Sequence, residues 1–299
     1  MLTTEQQCLL DRASYTWNRR REAKLAGMPF GEESVTETVL LDLKLTYPGK
    51  IWIVPFNKRD EGKNGADWEW CFANEDETRF LPMLVQAKVL DDNEDAYNHI
   101  GRTIGNTGVR QIDRLLESAR NRKVPATYAF YNHLSDESRL PMSCGSLIQG
   151  SSQSEPWGIS IAAAEGVAAI LPDQSFDQIS GISKPLHCLF CTGGSNRLPD
   201  GGSPEAIYRN MDRFSKSMED REENPWRPRQ SPPDYYGIIK ELMSLDRISE
   251  SKFDHRREIR EKLAASNPGI DGIVVLRDAT RSVRSHQRGR ALLDEGQGL

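Results

Sequence analysis

The apolar residues between positions 32 and 89 change their spacing once, and that change limits the folds open to the chain more than any other feature. Val35, Val39, Leu40 and Leu43 recur at intervals of three and four, the mark of an amphipathic helix over 32–46. Tyr47, Pro48 and Gly49 stop it. From Lys50 onward the pattern is that of strands. Residues 50–56 (KIWIVPF) are a short apolar, β-branched run, residues 66–72 (ADWEWCF) a second and residues 80–89 a third. A polar, glycine-bearing stretch at 57–65 and turn chemistry at 74–78 separate them. Residues 109–121 then read as a helix with Ile112, Leu115, Leu116 and Ala119 inward, and residues 125–131 (PATYAFY) as a fourth strand. The order predicts an α/β (α+β) fold with a core of helix, three-strand antiparallel meander, helix and strand.

Around this core the signal is weaker. Residues 3–25 predict a helix with Thr3 or Thr4 as its cap, Glu5 in its first turn, and Arg19, Arg20, Arg21 and Lys24 near its end. The chain accordingly divides into an N-terminal helix (1–31), the core (32–140), an α/β extension of unknown role (141–280) and a polar, disordered tail (281–299). Within the extension, residues 157–171 and 186–191 read as buried and 270–276 as a late strand, while 222–234 form a proline-rich surface connection. No run approaches the roughly 18 apolar residues of a membrane helix. The N-terminus lacks the basic-then-apolar pattern of a signal peptide, and five scattered cysteines make no disulfide framework. A cytoplasmic protein without a membrane partner is expected. The net charge of −5 does not exclude nucleic acid, because binding phosphate needs only a local groove of Lys and Arg.

Strand residues two apart face the same way. Asp67 and Glu69 therefore share a face, as do Gln86 and Lys88. A turn centred near Asp76 folds the second and third strands together with Asp67 opposite Gln86, to within about one residue. An acid, an amide and a lysine meet at one end of a sheet. The helix at 32–46 runs back along the first strand, which brings Glu33 and Glu37 to the same corner, and Glu61 lies in the loop that leads into Asp67. Singly, each residue has a plainer reading. Asp67 could cap a loop, Lys88 could guard a strand edge, Glu33 could favour a helix N-terminus, and Glu61 could be solvated. Jointly they form a candidate functional site.

The segments Gly65-Ala66-Asp67-Trp68 and Val85-Gln86-Ala87-Lys88 resemble the PD-(D/E)xK nuclease superfamily, in particular its Mrr-type restriction endonuclease branch, where Gln-x-Lys often replaces Glu-x-Lys. They are also similar to an uncharacterised bacterial family built on GADW…QAK. The Mrr-type branch carries a helix glutamate ahead of the first strand, which Glu37 matches better than Glu33. It also carries a glutamine opening the helix after the lysine strand, which Gln111 matches. The resemblance covers 32–133. It implies a restriction-endonuclease-like core and Mg²⁺- or Mn²⁺-dependent hydrolysis of DNA, with RNA left open. The implied setting is bacterial restriction or anti-phage defence, as a homodimer or with a partner protein of the system. In that reading Asp67 and Glu37 hold the metal, and the Gln86 oxygen or the Ala87 backbone carbonyl completes its shell. Lys88 positions the attacking water, with Glu33, Glu61, Glu69 and Gln111 in support. Gln86 departs from the fuller pattern, since a neutral amide holds a hard cation less well than a carboxylate. That departure keeps two alternatives open: a non-catalytic module binding nucleic acid or a partner on the same fold, and an RNase or toxin nuclease.

Other motifs carry less. Cys188 and Cys191 have CxxC spacing beside His187, but no second pair follows, so core cysteines are expected. Residues 252–262 (KFDHRREIREK) interleave acids with bases and read as a solvated helix face.

Overall fold

The computed structural model describes residues 4–47, 49–56, 65–104, 107–141, 152–191, 202–212, 227–245 and 253–277. Helices α1 (Thr4–Ala26) and α2 (Glu32–Thr46) open the chain, followed by β1 (Ile51–Pro55), β2 (Trp68–Ala73), β3 (Phe80–Val89), α3 (Gln111–Arg122) and β4 (Ala126–Tyr131). Next come β5 (Ile159–Ala163), α4 (Ala164–Ile170), α5 (Phe176–Ile182) and β6 (Lys184–Pro185). Helices α6 (Pro204–Asp212), α7 (Asp234–Leu245) and α8 (Phe253–Ser266) precede β7 (Gly272–Arg277). Glu61, the tail after 280 and residues 222–226 of the proline-rich connection lie outside the described residues.

Among the described residues seven strands form one mixed sheet in the order β1-β7-β2-β3-β4-β5-β6. This corrects the expected three-strand meander. β1, β2 and β3 alternate in direction, yet β1 does not pair with β2: β7 lies between them, antiparallel to β1 and parallel to β2. The reason is burial. Ile273, Val274 and Val275 are fully buried, and a strand apolar on both faces belongs inside a sheet rather than at its edge. Gly272 lets the strand enter. A Cβ there would stand 2.6 Å from the Val54 carbonyl oxygen and collide with the Trp68 ring.

Helices cover both faces. On one, Leu9 of α1 and Val35, Val39 and Leu43 of α2 pack on Ile53, Trp70, Met83, Val85 and Val274. On the other, Leu115 of α3, Val167 of α4, Ile239 of α7 and Leu263 of α8 pack on Val54, Leu84, Tyr128 and Ile273. β2, β3 and β4 are consequently buried along almost their whole length. Any polar side chain on them must then find its partners inside the protein.

The topology gathers one set of chain ends. β3, α3 and β4 form a crossover that returns β4 parallel to β3, so the start of α3 lies near the end of β3. β2 runs against β3 and alongside β7, so the starts of β2 and β7 reach the same place. The end of β1 and the start of α2 join them.

Candidate active site

Asp67 stands at the mouth of β2, directly opposite Gln86, because Trp68 pairs with Val85 and Glu69 with Leu84. Its Oδ2 accepts two hydrogen bonds, from the Gln86 Nε2 at 2.6 Å and the Ala87 backbone N–H at 2.8 Å. The Gln86 Oε1 in turn accepts from the Gln111 Nε2 at 2.9 Å. Gln111 opens α3, and its own N–H donates to the Arg102 carbonyl at 2.9 Å. The chain Gln111, Gln86, Asp67 thus fixes the carboxylate from two strands and a helix. Gly65 sets the approach: its φ is +74°, and a Cβ would meet the Gln111 carbonyl at 2.7 Å and the Leu115 nitrogen at 2.8 Å.

Lys88, one pleat beyond Gln86, is 7% exposed and pairs through Nζ with Glu32 Oε2 at 3.2 Å and Oε1 at 3.4 Å. An ammonium beside the first turn of α2 faces the positive end of the helix dipole, and Glu32 offsets both. Thr36, one turn on, anchors α2 to the sheet through a buried 2.9 Å hydrogen bond between its Oγ1 and the Tyr131 hydroxyl.

Burial dominates the electrostatics. It pushes the Asp67 carboxyl up to about 6, although the Lys88 charge and the Ala87 and Gln86 hydrogen bonds pull the other way. Glu32 is likewise raised by burial, against the pull of Lys88, with Glu33 and Asp271 adding to the rise. The group opens on a cleft of about 1370 Å³, lined by α2 residues from Glu32 to Lys44 and by residues of the 98–104 segment and Gln111.

The residues singled out from sequence fall into two sets. Asp67, Gln86, Ala87, Lys88 and Gln111 come together. The Gln86 oxygen, expected to face a metal, is turned to Gln111, and the Ala87 carbonyl accepts from the Gln86 Nε2 at 3.2 Å. Glu33 and Glu37 are exposed on the α2 wall of the cleft, and the α2 carboxylate that reaches Lys88 is Glu32. Glu69 shares the Asp67 face but is taken up elsewhere. It is 1% exposed, accepts from the Tyr235 hydroxyl at 2.6 Å and forms an ion pair with Arg122. Cys188 is buried in a 3-10 turn and Cys191 half-buried beside it.

Two carboxylates escaped the sequence reading. Glu32 continues the inward stripe of α2, which runs through Thr36, Val39 and Leu43, so its position was visible in the helical period. Asp271 is brought in by the β7 insertion. Trp68 pairs with Gly272 in parallel register, which sets Asp271 beside Asp67, and its N–H donates to the Asp67 carbonyl. A faint signal existed here too: Gly269-Ile270-Asp271 repeats Gly65-Ala66-Asp67 ahead of a strand, and both glycines have positive φ.

The raised Asp67 carboxyl predicts a stability effect in metal-free protein. A folded-state value above the unfolded one makes the ionised form unfavourable, so this contribution is lost as pH rises from the ordinary carboxylate range through about 6. Asp67→Asn removes that charge while its carboxamide can still accept from Ala87. Its melting temperature is expected to exceed that of the wild type at pH 8 and to match it at about pH 3, below the ordinary carboxylate range. Equal differences at both values would show that burial of the charge is not the cause.

No curated protein matches the chain. Among the described residues no helix is long and apolar enough to cross a membrane. A family model does match, over residues 5–282 and therefore through all seven strands and every part of this cleft. The chain belongs to that family, described as a family of unknown function (DUF6615).

Proposed function

We propose that the protein is a metal-dependent endonuclease that hydrolyses phosphodiester bonds in DNA. The observation that carries the reading is the hydrogen-bonded run Gln111, Gln86, Asp67, with Lys88 one pleat away, on an open cleft. The restriction or anti-phage setting rests on the resemblance of the GADW and QAK segments alone.

Mg²⁺ or Mn²⁺ fits the donor set. Both hydrogen bonds to Asp67 fall on Oδ2, and Oδ1 has no hydrogen-bond partner among the described residues. Among those residues no three His, Cys, Asp or Glu side chains gather closely enough to cage an ion. Mg²⁺ seldom asks for a cage: one or two carboxylates suffice when waters and substrate phosphate complete the shell. Asp67 would hold the cation, with Glu32 or Asp271 as the second carboxylate and Glu33 and Glu37 along the same wall. When bound, the metal would neutralise charge on the phosphate and lower the pKa of a water.

The chain's own residues supply the rest. Gln86 and Gln111 fix the orientation of Asp67, so the carboxylate needs no rearrangement to receive a ligand. Glu32 holds Lys88 in the cleft, where its ammonium can meet the charge that develops on a phosphate oxygen. A glutamine suits position 86 because a carboxylate there would repel Asp67 in the metal-free protein. A second reading, a binding module without catalysis, is favoured by one observation: the Gln86 oxygen is spent on Gln111 rather than on the cleft.

Supercoiled plasmid incubated with Mg²⁺, Mn²⁺ or EDTA separates the two. Nicking or linearisation with either cation, and none with EDTA, is expected. Intact supercoiled DNA in every lane would favour the binding module.

A further inference from the structure

The 98–104 segment (NHIGRTI), which lines the cleft next to Gln111, is held firmly in place. Ile100 is fully buried, and its N–H donates to the Gln174 Oε1 at 3.0 Å. Just ahead of it the Tyr97 hydroxyl donates to the buried Asn132 Oδ1 at 2.7 Å. The Arg102 N–H donates to the His99 carbonyl at 3.1 Å and closes a turn. The Arg102 carbonyl accepts from the Gln111 N–H at 2.9 Å, so Arg102 is tied to the residue that holds Gln86. His99 stands in that turn with a φ of +75°, uncommon for a residue with a side chain and a conformation that recurs at ligand sites.

Charge is shared unevenly around the cleft. The α2 lining carries Glu32, Glu33 and Glu37 against one base, Lys44. The 98–104 segment has no acid, and Arg102 is its fixed cation. Asp91, which also lines the cleft, accepts from the N–H groups of Asn93 and Glu94 at 2.8 and 3.0 Å. Arg102 and His99 are exposed and line the cleft, and among the described residues neither side chain has a hydrogen bond or an ion pair. Arg110, which belongs to the residue pair bridging the same hairpin at Thr103, differs. Asp113 takes its Nε and Nη2 at 2.7 Å each, and it does not line the cleft. A polyanion in this cleft is thus drawn to the 98–104 segment and repelled by α2 until a cation neutralises the carboxylates there.

We propose that Arg102, with His99 beside it, holds a backbone phosphate of the DNA that flanks the one to be cut. The proposal rests on the nuclease reading and adds which part of the cleft the strand follows. A guanidinium offers a fork of donors that matches two phosphate oxygens, and the imidazole offers one more N–H. Because the turn is bonded to Gln111, a phosphate held there keeps a fixed offset from Asp67 and Lys88. Arg102 then acts by binding and aligning the strand, not in the bond-breaking step. A plainer role exists, since an exposed arginine is often no more than a solvated surface charge.

The test is binding of a fluorescent 20-base-pair duplex, without divalent cation, to the Asp67→Asn protein, which keeps cleavage out of the measurement. Adding Arg102→Ala is expected to weaken binding about tenfold, as for a lost charge-assisted hydrogen-bond pair. It should also lower the slope of log affinity against log salt by about one. Arg102→Lys keeps the charge without the fork, so it should keep the slope and lose only part of the affinity. It also covers a folding failure of the alanine variant. Arg110→Ala, which removes a neighbouring charge already held by Asp113, should leave affinity and slope as they are. Unchanged affinity and slope in Arg102→Ala would overturn the proposal in favour of a solvated surface charge. Equal losses in Arg102→Ala and Arg110→Ala would overturn it in favour of general charge attraction. No duplex binding by the Asp67→Asn parent would overturn it as well. The expected pattern of binding, with no cleavage by the wild type in Mg²⁺ or Mn²⁺, would instead strike the nuclease reading and leave the phosphate site standing.

Discussion

Lys88→Met is expected to lower DNA cleavage by about 10² to 10³-fold, the usual effect of removing one group aimed at developing charge. Methionine keeps the apolar stem and removes only the ammonium. From sequence, a lysine at this strand end has no packing role beyond its stem, and the structure differs. Lys88 is 7% exposed and ion-paired with Glu32, so the substitution also strands a half-buried carboxylate, at a cost of about 1–3 kcal/mol. Adding Glu32→Gln removes that stranded charge. The double variant should regain most of the stability of the wild type and none of the lost cleavage. Plasmid nicking rates and thermal melts read the two effects separately. Cleavage that survives in Lys88→Met would move the chemistry elsewhere. Cleavage that returns with the second substitution would reduce Lys88 to a structural partner of Glu32.

Glu69→Ala is expected to cost about 1–3 kcal/mol of stability, the penalty for a buried hydroxyl left without its acceptor, since Arg122 is 31% exposed and can return to water. Glu69 is fixed by the Tyr235 hydroxyl of α7 and by Arg122 at the end of α3. Burial raises its pKa even against the pull of Arg122, which marks how costly the charge is without its partners. Its loss leaves the Tyr235 hydroxyl without its carboxylate acceptor in a site where Tyr235 is 5% exposed. Glu69→Gln keeps an acceptor for Tyr235 and should cost markedly less. Denaturant unfolding of the two variants measures the difference. Equal losses would show that the charge on Glu69, rather than its hydrogen bond, carries the effect.

The two acids on this face of β2 show what a sequence conveys and what it withholds. The alternation of strand residues put Asp67, Glu69, Gln86 and Lys88 on one face, and the turn near Asp76 put Asp67 opposite Gln86. Both are local inferences, and the register bears them out. What covers each residue is not local. Glu69 is closed off by Tyr235, which is 166 residues away in the chain, while Asp67 is left facing a cleft. The place of β7 is of the same kind: its apolar run was legible, but its insertion between β1 and β2 depends on which strand best fills a two-sided core. With that insertion hidden, Asp271 was hidden too. Glu32 is a different case, since its stripe on α2 was visible. The spacing of a resembled motif drew attention to Glu37 instead, and the buried face of the helix was the better guide.

Cleavage at this end of the sheet depends on Asp67 holding a hard cation with help from its neighbours. Calorimetric titration of Mn²⁺ into the wild type, Asp67→Asn, Gln86→Glu and Gln86→Leu tests this most directly. The wild type should bind, and Asp67→Asn should lose most of that affinity. Gln86→Glu should bind at least as tightly as the wild type, since a second carboxylate gains an oxygen ligand for the ion it repels Asp67 without. Gln86→Leu should bind more weakly, because Asp67 loses the amide that fixes it. The same affinity in all four proteins would contradict the account and remove the metal from this end of the sheet.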